Sequence, residues 1–447
     1  MNEGFYMKKT IVVACLIFFS YLGVYAQTIN LEQARELAIA NSRSLARYEM
    51  SIRSSILDER NQLYSMLPQI SAGYSASANF LREWEFINPL ENYSIGASFS
   101  ISQIIFRGGK SFIERAINAI GTDSIRLEAR AEYFNVLDSI DKAYYALLEA
   151  IASLKAEETL LQTAVLGLTI AEIRYSSGMI NQGDYLEALA NKETSENSVN
   201  QKRRALTTTM NRFKLLTGIT GNVEPEHIVF DKYEDVILRL AGISDEQADL
   251  LFNELWEIMI SYNISLAKAS LDNKIAEKRF TLSKRDYTPT IRATIFSTGM
   301  TFLPSFRATS DSGISITGNI PVDFWVLSNR IKQSRISYER SLIAFEDAEI
   351  SLEQNLQTSL FDLFSQAGNV LSSRRSLEYT ERRFNFVMER YRLTQASVTD
   401  LNEATSAYLN SSNRLNSASY SFLQGLSTLR SLCALDDEEK LLELLLK

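Results

Sequence analysis

The chain has 447 residues, of which 45% are hydrophobic, 22% are charged and 10% are aromatic, with a formal net charge of −8 at pH 7. This composition allows two ordinary domains or one elongated domain, and it excludes a disordered or fibrous chain. The acidic balance argues against nucleic acid as a partner, and one histidine with two cysteines cannot supply a His/Cys zinc site.

The first 26 residues have the organisation of an export signal. A short basic region, 7–9 (Met-Lys-Lys), precedes an apolar run from Ile11 to about Val24, and small residues end the segment at Ala26. We therefore expect residues 1–26 to be removed as a signal peptide, with either Met1 or Met7 as the start. No later segment reaches the length of about 18 apolar residues that is typical of a transmembrane helix.

The rest of the chain is a tandem repeat. The tripeptide Ser-Leu-Ala at 44–46 recurs at 265–267, a shift of 221, and the spaced pair Asp184 and Glu187 recurs as Asp400 and Glu403, a shift of 216. Long internal repeats indicate duplicated structural units. We divide the mature chain into a first repeat (27–217), a linker (218–244), a second repeat (245–432) and a C-terminal tail (433–447).

Each repeat is predicted to contain one helix, two strands, a long helix and a returning helix. Proline costs about 3 kcal/mol inside a helix, and all six prolines lie outside the long periodic stretches. Asn30 and Ser244 each precede a glutamine by three residues, which is a capping-box pattern. We predict helices at about 31–67, 108–175, 184–217, 245–287, 329–391 and 400–431. The longest would measure roughly 100 Å at the rise of an α-helix.

Four strands are predicted between these helices, at about 70–80, 93–102, 291–302 and 314–322. Apolar residues alternate there with small uncharged ones, and a change of phase within the third strand predicts a bulge near Ile295. The strands are either an antiparallel hairpin on a soluble core or barrel strands with one face toward lipid, and the export signal favours the barrel. Four strands cannot close a barrel alone, whereas three chains would supply twelve.

Four segments resemble motifs of the outer membrane factor family, the TolC-like outer-membrane efflux proteins. They are the helix start at 31–38 (Leu-Glu-Gln-Ala-Arg-Glu-Leu-Ala), the strand-to-helix junction at 106–110 (Phe-Arg-Gly-Gly-Lys), and the Arg-Tyr dipeptides at 174–175 and 390–391 that precede the helix reversals. The resemblance implies a mainly α-helical homotrimer. Its long helical hairpins would form an α-barrel in the periplasm, and four strands per chain would contribute to a twelve-stranded outer-membrane β-barrel.

The resemblance also implies the function and the partners. The chain would be the passive exit duct of a tripartite efflux or type I secretion system, carrying small molecules or proteins. Its partners would be further copies of itself, a periplasmic adaptor (membrane fusion) protein, an inner-membrane transporter and outer-membrane lipid. It would not be an enzyme and would need no cofactor, and the sequence contains no Gly-rich phosphate loop, nucleophile elbow or metal motif. The alternative is a soluble exported helical scaffold or adaptor.

A channel entrance at the hairpin tips is the implied functional site. The positions that match the family's gate are Tyr391, Asp400 and Glu403, and their counterparts in the first repeat are Tyr175, Asp184 and Glu187. A ring of carboxylates across a pore favours cations, although Asp184 and Asp400 would also serve as helix caps. Some family members have a basic latch residue where this chain has Ala396, so that latch is not expected.

Two further sets of residues are assigned by the resemblance. The tip loops would contact the adaptor, or would simply reverse the chain, through Ser177, Gly178, Met179, Thr394, Gln395 and Ala396. The strand aromatics Tyr74, Phe80, Tyr93 and Phe99 would face lipid, or would instead pack against neighbouring strands.

Overall fold

A computed structural model describes residues 27–78, 93–303 and 307–446. The expected signal peptide (1–26) and Phe80 lie outside the described residues. Ten α-helices and six strands follow one another in these ranges: β1 (Gln27–Ile29), α1 (Leu31–Asn41), α2 (Arg43–Tyr64), β2 (Gln69–Ala78), β3 (Tyr93–Phe106), α3 (Lys110–Ser176), α4 (Gln182–Thr217), β4 (Val223–Pro225), α5 (Asp231–Ala241), α6 (Asp245–Tyr262), α7 (Ile264–Lys284), β5 (Thr290–Leu303), β6 (Arg307–Asn319), α8 (Phe324–Arg392), α9 (Val398–Leu432) and α10 (Glu438–Leu446).

The long helices occur where proline and glycine are scarce. Helix α3 has 67 residues and α8 has 69, and the capping boxes predicted at Asn30 and Ser244 are both formed. The prediction was wrong in making one helix of 31–67 and one of 245–287. Ser42 and Asn263 have extended backbone and divide each of these segments in two. Their side chains stabilise the breaks, because Ser42 accepts from the amide of Leu45 and Asn263 donates to the carbonyl of Leu432.

One antiparallel sheet contains the four long strands in the order β2-β3-β5-β6, so strands of both repeats join one sheet. Its register places one isoleucine on each strand in a single row. Ile70 pairs with Ile101, Ile101 with Ile295, and Ile295 with Ile314. Ile70 and Ile314 are 69% and 74% exposed within a single chain.

The predicted bulge near Ile295 is absent, and the register shift lies on β3 between Ile104 and Phe106. Strand β5 is regular, and two large side chains of its other phase, Phe296 and Met300, lie opposite glycines on the neighbouring strands. Phe296 pairs with Gly313 on β6, and an added Cβ there would lie 3.3 Å from the Phe296 ring. Because Gly313 has no side chain, Phe296 fits on this face without a bulge in β5.

The chain divides into two compact units, each drawing segments from both repeats. The first comprises residues 27–45, 132–263 and 353–446, and the second comprises residues 46–78, 93–131, 264–303 and 307–352. The core of the first unit comes from α1, α3, α4, α5, α6, α8, α9 and α10. Its fully or nearly fully buried side chains include Ala34, Phe134, Ile140, Leu147, Phe213, Ile237, Leu240, Leu255, Met259, Leu356, Leu363, Phe422, Leu426, Leu441 and Leu445.

A buried ion network holds the C-terminal helix in the first unit. Asp141 is fully buried and accepts from Arg35 at 2.7 and 2.8 Å and from Arg430 at 2.8 Å. Glu438, at the start of α10, accepts from Tyr233 at 2.7 Å and from Arg35 at 3.3 Å. Burial by itself would raise the pKa of Glu438, but the Tyr233 hydrogen bond and the Arg35 charge outweigh it and lower that pKa. The tail is therefore an ordered helix tied to α1, α5 and α9.

Over residues 27–78, 93–303 and 307–446, no helix combines the length and the apolarity needed to cross a membrane.

Candidate functional site

The two hairpin tips belong to the first unit and are built on equivalent positions. Helix α3 ends at Ser176, the chain reverses through Gly178 in the left-handed region, and Asn181 caps α4. Helix α8 ends at Arg392, the chain reverses through Thr394 in the left-handed region, and Ser397 caps α9. Asn181 and Ser397 are 216 residues apart, as the repeat requires.

Both aspartates occupy the third helical position rather than the N-cap, and Asp400 takes part in capping as the third-position residue of a capping box. Ser397 Oγ accepts from the amide of Asp400 at 3.1 Å, and the Asp400 carboxylate accepts from the amide of Ser397 at 3.0 Å. The amide and the hydroxyl of Ser397 both donate to the Asp400 carboxylate, and these two hydrogen bonds lower the pKa of Asp400. In the first tip the amide of Asp184 donates to the side chain of Asn181 at 2.9 Å. Both aspartates therefore lie in the first turn of the returning helices.

Tyr391 is fully buried between the two hairpins. Its hydroxyl donates to the carbonyl of Gly167 at 3.1 Å. The Arg174 guanidinium lies 4.4 Å from the centre of its ring and donates to its backbone carbonyl. Burial raises the pKa of Tyr391, the nearby Arg174 charge opposes that shift and Asp184 adds to it. Tyr391 therefore joins the hairpins and is enclosed by them.

An apolar cluster surrounds this contact. Residues from α3, α4, α8 and α9 contribute, and the buried members are Ala171, Ala188, Met388, Tyr391, Val398 and Leu401. Beside it lies a cavity of about 190 Å³ that reaches from Tyr391 to Glu157. Burial raises the pKa of Glu157, and Lys202 opposes that shift.

Glu187 makes a second connection between the hairpins. Its carboxylate accepts from the side-chain amide of Asn402 at 2.9 Å and from the hydroxyl of Thr399 at 3.3 and 3.4 Å. Glu187 lies on α4, whereas Thr399 and Asn402 lie on α9. This carboxylate is therefore engaged between helices within one chain.

The remaining predicted gate residues lie on the surface of the single chain. Tyr175 is 42% exposed and stacks on Tyr185, with ring centres 5.2 Å apart. The Glu403 side chain is 66% exposed and lies 3.7 Å from Arg383. Of the six predicted gate positions, the structure brings Tyr391 and Glu187 into contacts between the hairpins, and it leaves Tyr175 and Glu403 outside them.

The predicted adaptor-contact residues lie at the reversals. Ser177, Gly178, Met179, Thr394 and Gln395 are exposed, and Ala396 is half-buried beside the apolar cluster. Among the strand aromatics, Tyr74 is 94% exposed and Phe99 is 46% exposed. The backbone of Tyr93 pairs with Ala78 on β2 and with Leu303 on β5.

Arg174 is the residue of this site that sequence reasoning did not identify. It is 6% exposed and contacts Tyr391 across the hairpins. Its duplicate, Arg390, is exposed and donates to the carbonyl of Gln395 within its own loop. The available signal was the repeated Arg-Tyr dipeptide, which the sequence presents identically in both repeats.

Most of the chain is similar to known outer membrane efflux proteins. Residues 34–219 and 257–434 match the family described as outer membrane efflux protein. The chain is 20% identical over 466 residues to the outer membrane protein TolC of Escherichia coli (strain K12), and the match covers 98% of this chain and 89% of TolC.

Solved structures of outer membrane proteins share the fold, among them CmeC and VceC. The CmeC outer membrane channel of Campylobacter jejuni is 14% identical with a TM-score of 0.72, over 93% of this chain and 89% of CmeC. The outer membrane protein VceC of Vibrio cholerae is 14% identical with a TM-score of 0.70, over 90% of this chain and 96% of VceC. The helix–strand–strand–helix–helix repeat is therefore an architecture found in outer membrane channels.

Proposed function

Because this chain belongs to the outer membrane efflux protein family, we propose that three copies of it assemble into one outer-membrane exit duct. The family places the chain in the outer membrane, with a large periplasmic helical portion, as an efflux channel and not an enzyme. The homotrimer, a periplasmic adaptor and an inner-membrane transporter are the assembly partners that we propose for it. In this scheme the duct is passive, and the transporter supplies the energy.

The four-stranded sheet is the observation that most directly supports the proposed trimer. Strands β2 and β6 are its edges, and a sheet within a bilayer requires partners for its edge hydrogen-bonding groups. Its isoleucine row is largely exposed in one chain, as is Tyr74 on β2. Pairing β6 of one copy with β2 of the next would satisfy both edges and would turn the isoleucine row and Tyr74 toward lipid.

At the tips, we propose that the predicted gate residues have different roles. Tyr391 and Glu187 fix the two hairpins of one chain to each other, and Asp400 stabilises the start of α9. The exposed carboxylate of Glu403, with Asp184, would then line the entrance formed by three chains. Repeated around a three-fold axis, these carboxylates favour cations at the entrance.

The tip loops are the proposed contact surface for the adaptor. Met179 and Leu393 are each 64% exposed at the two reversals, and apolar side chains at a loop tip are suited to a protein partner.

The test is the native mass of the protein, extracted in detergent from the outer-membrane fraction. A mass of three mature chains supports the duct, whereas a monomer in the soluble periplasmic fraction supports the scaffold alternative and refutes the proposal. Planar-bilayer recordings then test the entrance. Glu403→Gln should reduce cation selectivity, while Glu339→Gln, an exposed carboxylate near the start of α8, should leave it unchanged.

A further inference from the structure

The two repeats bury opposite members of the same dipeptide. In the first repeat Arg174 is 6% exposed and Tyr175 is 42% exposed. In the second repeat Arg390 is exposed and Tyr391 is fully buried. Each repeat therefore contributes one member of its dipeptide to the contact between the hairpins. The other two members have partners within their own hairpins, because Arg390 donates to the carbonyl of Gln395 and Tyr175 stacks on Tyr185.

Arg174 and Tyr391 define a directional contact between the two hairpins. Arg174 of the first repeat lies over the Tyr391 ring of the second, and the Tyr391 hydroxyl donates to the carbonyl of Gly167. The contact therefore runs from the arginine of one hairpin to the tyrosine of the hairpin that follows it. A ring of three chains places a first-repeat hairpin after every second-repeat hairpin, so the same contact can recur at each boundary between chains.

We infer that in the trimer Arg390 of one protomer packs over the Tyr175 ring of the next protomer. This inference rests on the proposed trimer. By the same repeat equivalence, the Tyr175 hydroxyl donates to the carbonyl of Arg383, which is the position that corresponds to Gly167. Six hairpins would then be joined by one alternating contact, three times within chains and three times between them.

The side chains beside Arg390 and Tyr175 have complementary chemistry. Met388 and Val398, which are buried in the intrachain contact, correspond to Glu172 and Gln182 in the first repeat. Glu172 is exposed. On the second repeat Arg383, with a 57% exposed side chain, lies toward the same interface in this register. The interchain contact therefore brings two arginines toward a glutamate and a tyrosine, and it is more polar than the apolar contact within the chain.

Chemical cross-linking between chains tests the pair directly. The double variant Arg390→Cys with Tyr175→Cys is purified in detergent as the full chain and treated with a short bismaleimide. The matched control is Arg392→Cys with Tyr175→Cys, because Arg392 is exposed two residues later and is paired with Glu389 in its own helix. Cys433 is fully buried, and burial raises the pKa of its thiol to about 12, so it does not compete.

We expect covalent dimers and trimers on denaturing gels from the Arg390→Cys pair, at least tenfold above the control when both pairs label equally with a monofunctional maleimide. A native trimer in which the two pairs cross-link equally overturns the inference and leaves the proposed duct intact. A native monomer overturns the proposed duct, and the inference falls with it.

Discussion

Replacement of Arg174 by methionine is the sharpest test of how the two hairpins of one chain are held together. Arg174 is 6% exposed, lies 4.4 Å from the centre of the Tyr391 ring and donates to the Tyr391 carbonyl. Methionine retains much of the apolar stem but removes the charge and the donors. The expected result is easier separation of α3 and α8 near the tip, with the body of the protein unchanged.

The magnitude follows from three contributions. A desolvated cation–π contact is worth about 2 kcal/mol, and a hydrogen bond from a charged group is worth about 1.5–3 kcal/mol. Burial of the guanidinium opposes these two contributions. Its Nε has no hydrogen-bond partner among the described residues, and leaving such a group unpaired costs about 1–3 kcal/mol. The net loss is about 2 kcal/mol, which is roughly a thirtyfold change in the equilibrium between joined and separated hairpins.

Hydrogen exchange measured by mass spectrometry on peptides covering 384–392 reports this local opening. Exchange should become roughly thirtyfold faster in Arg174→Met and intermediate in Arg174→Lys, which keeps the charge but loses the planar stacking group. The control Arg392→Met changes an exposed side chain and should exchange at the wild-type rate. Wild-type exchange in Arg174→Met would refute the claim that this arginine joins the hairpins.

Three further predictions concern the ion network, the second tip and the strand-to-helix junction. Because the folded-state pKa of Glu438 is lowered, its stabilising contribution is present at neutral pH and is lost as the pH falls below about 4. Glu438→Gln should therefore be less stable at neutral pH and converge with wild type in acid, as followed by thermal unfolding in detergent. Ser397→Ala removes the cap of α9 and should destabilise its first turn by about 1 kcal/mol, visible as faster amide exchange there. Gly108→Ala should lower the unfolding temperature more than Gly109→Ala. Both glycines have positive φ, which costs about 1–2 kcal/mol for alanine, but only at Gly108 would the Cβ lie 1.9 Å from the Thr288 hydroxyl.

A specific result would contradict each of these three predictions. A stability gap between wild type and Glu438→Gln that persists unchanged in acid would show that the carboxylate is not the titrating stabiliser. Unchanged exchange in Ser397→Ala would assign the start of α9 to tertiary packing instead of the cap. Equal unfolding temperatures for the two glycine variants would show that the Thr288 side chain moves aside at little cost.

Local chemistry made much of this fold predictable. Proline and glycine sorting located the long helices, capping pairs located the starts at Asn30 and Ser244, and period-two alternation located the four strands. The breaks at Ser42 and Asn263 were missed because neither glycine nor proline marks them. The Asn263 break is stabilised by a bond to the carbonyl of Leu432, a partner distant in sequence.

The strand irregularity was misplaced for a related reason. Phase within β5 suggested a bulge near Ile295, but phase cannot show what lies on the neighbouring strand. Gly313 opposite Phe296 makes room for the large side chain on the second face, and the register shift lies on β3 near Ile104 instead. Strand pairing, which is non-local, decided this feature.

The sequence by itself determined the duplication, the element types and the family, because these depend on periodicity and on motifs along the chain. Only the tertiary structure decided the roles of the duplicated Arg-Tyr dipeptides. The dipeptide is identical in both repeats, so it does not by itself tell the role of Arg174 from that of Arg390. Arg174 is buried against Tyr391, whereas Arg390 is exposed, because within one chain each hairpin has its counterpart on one side only.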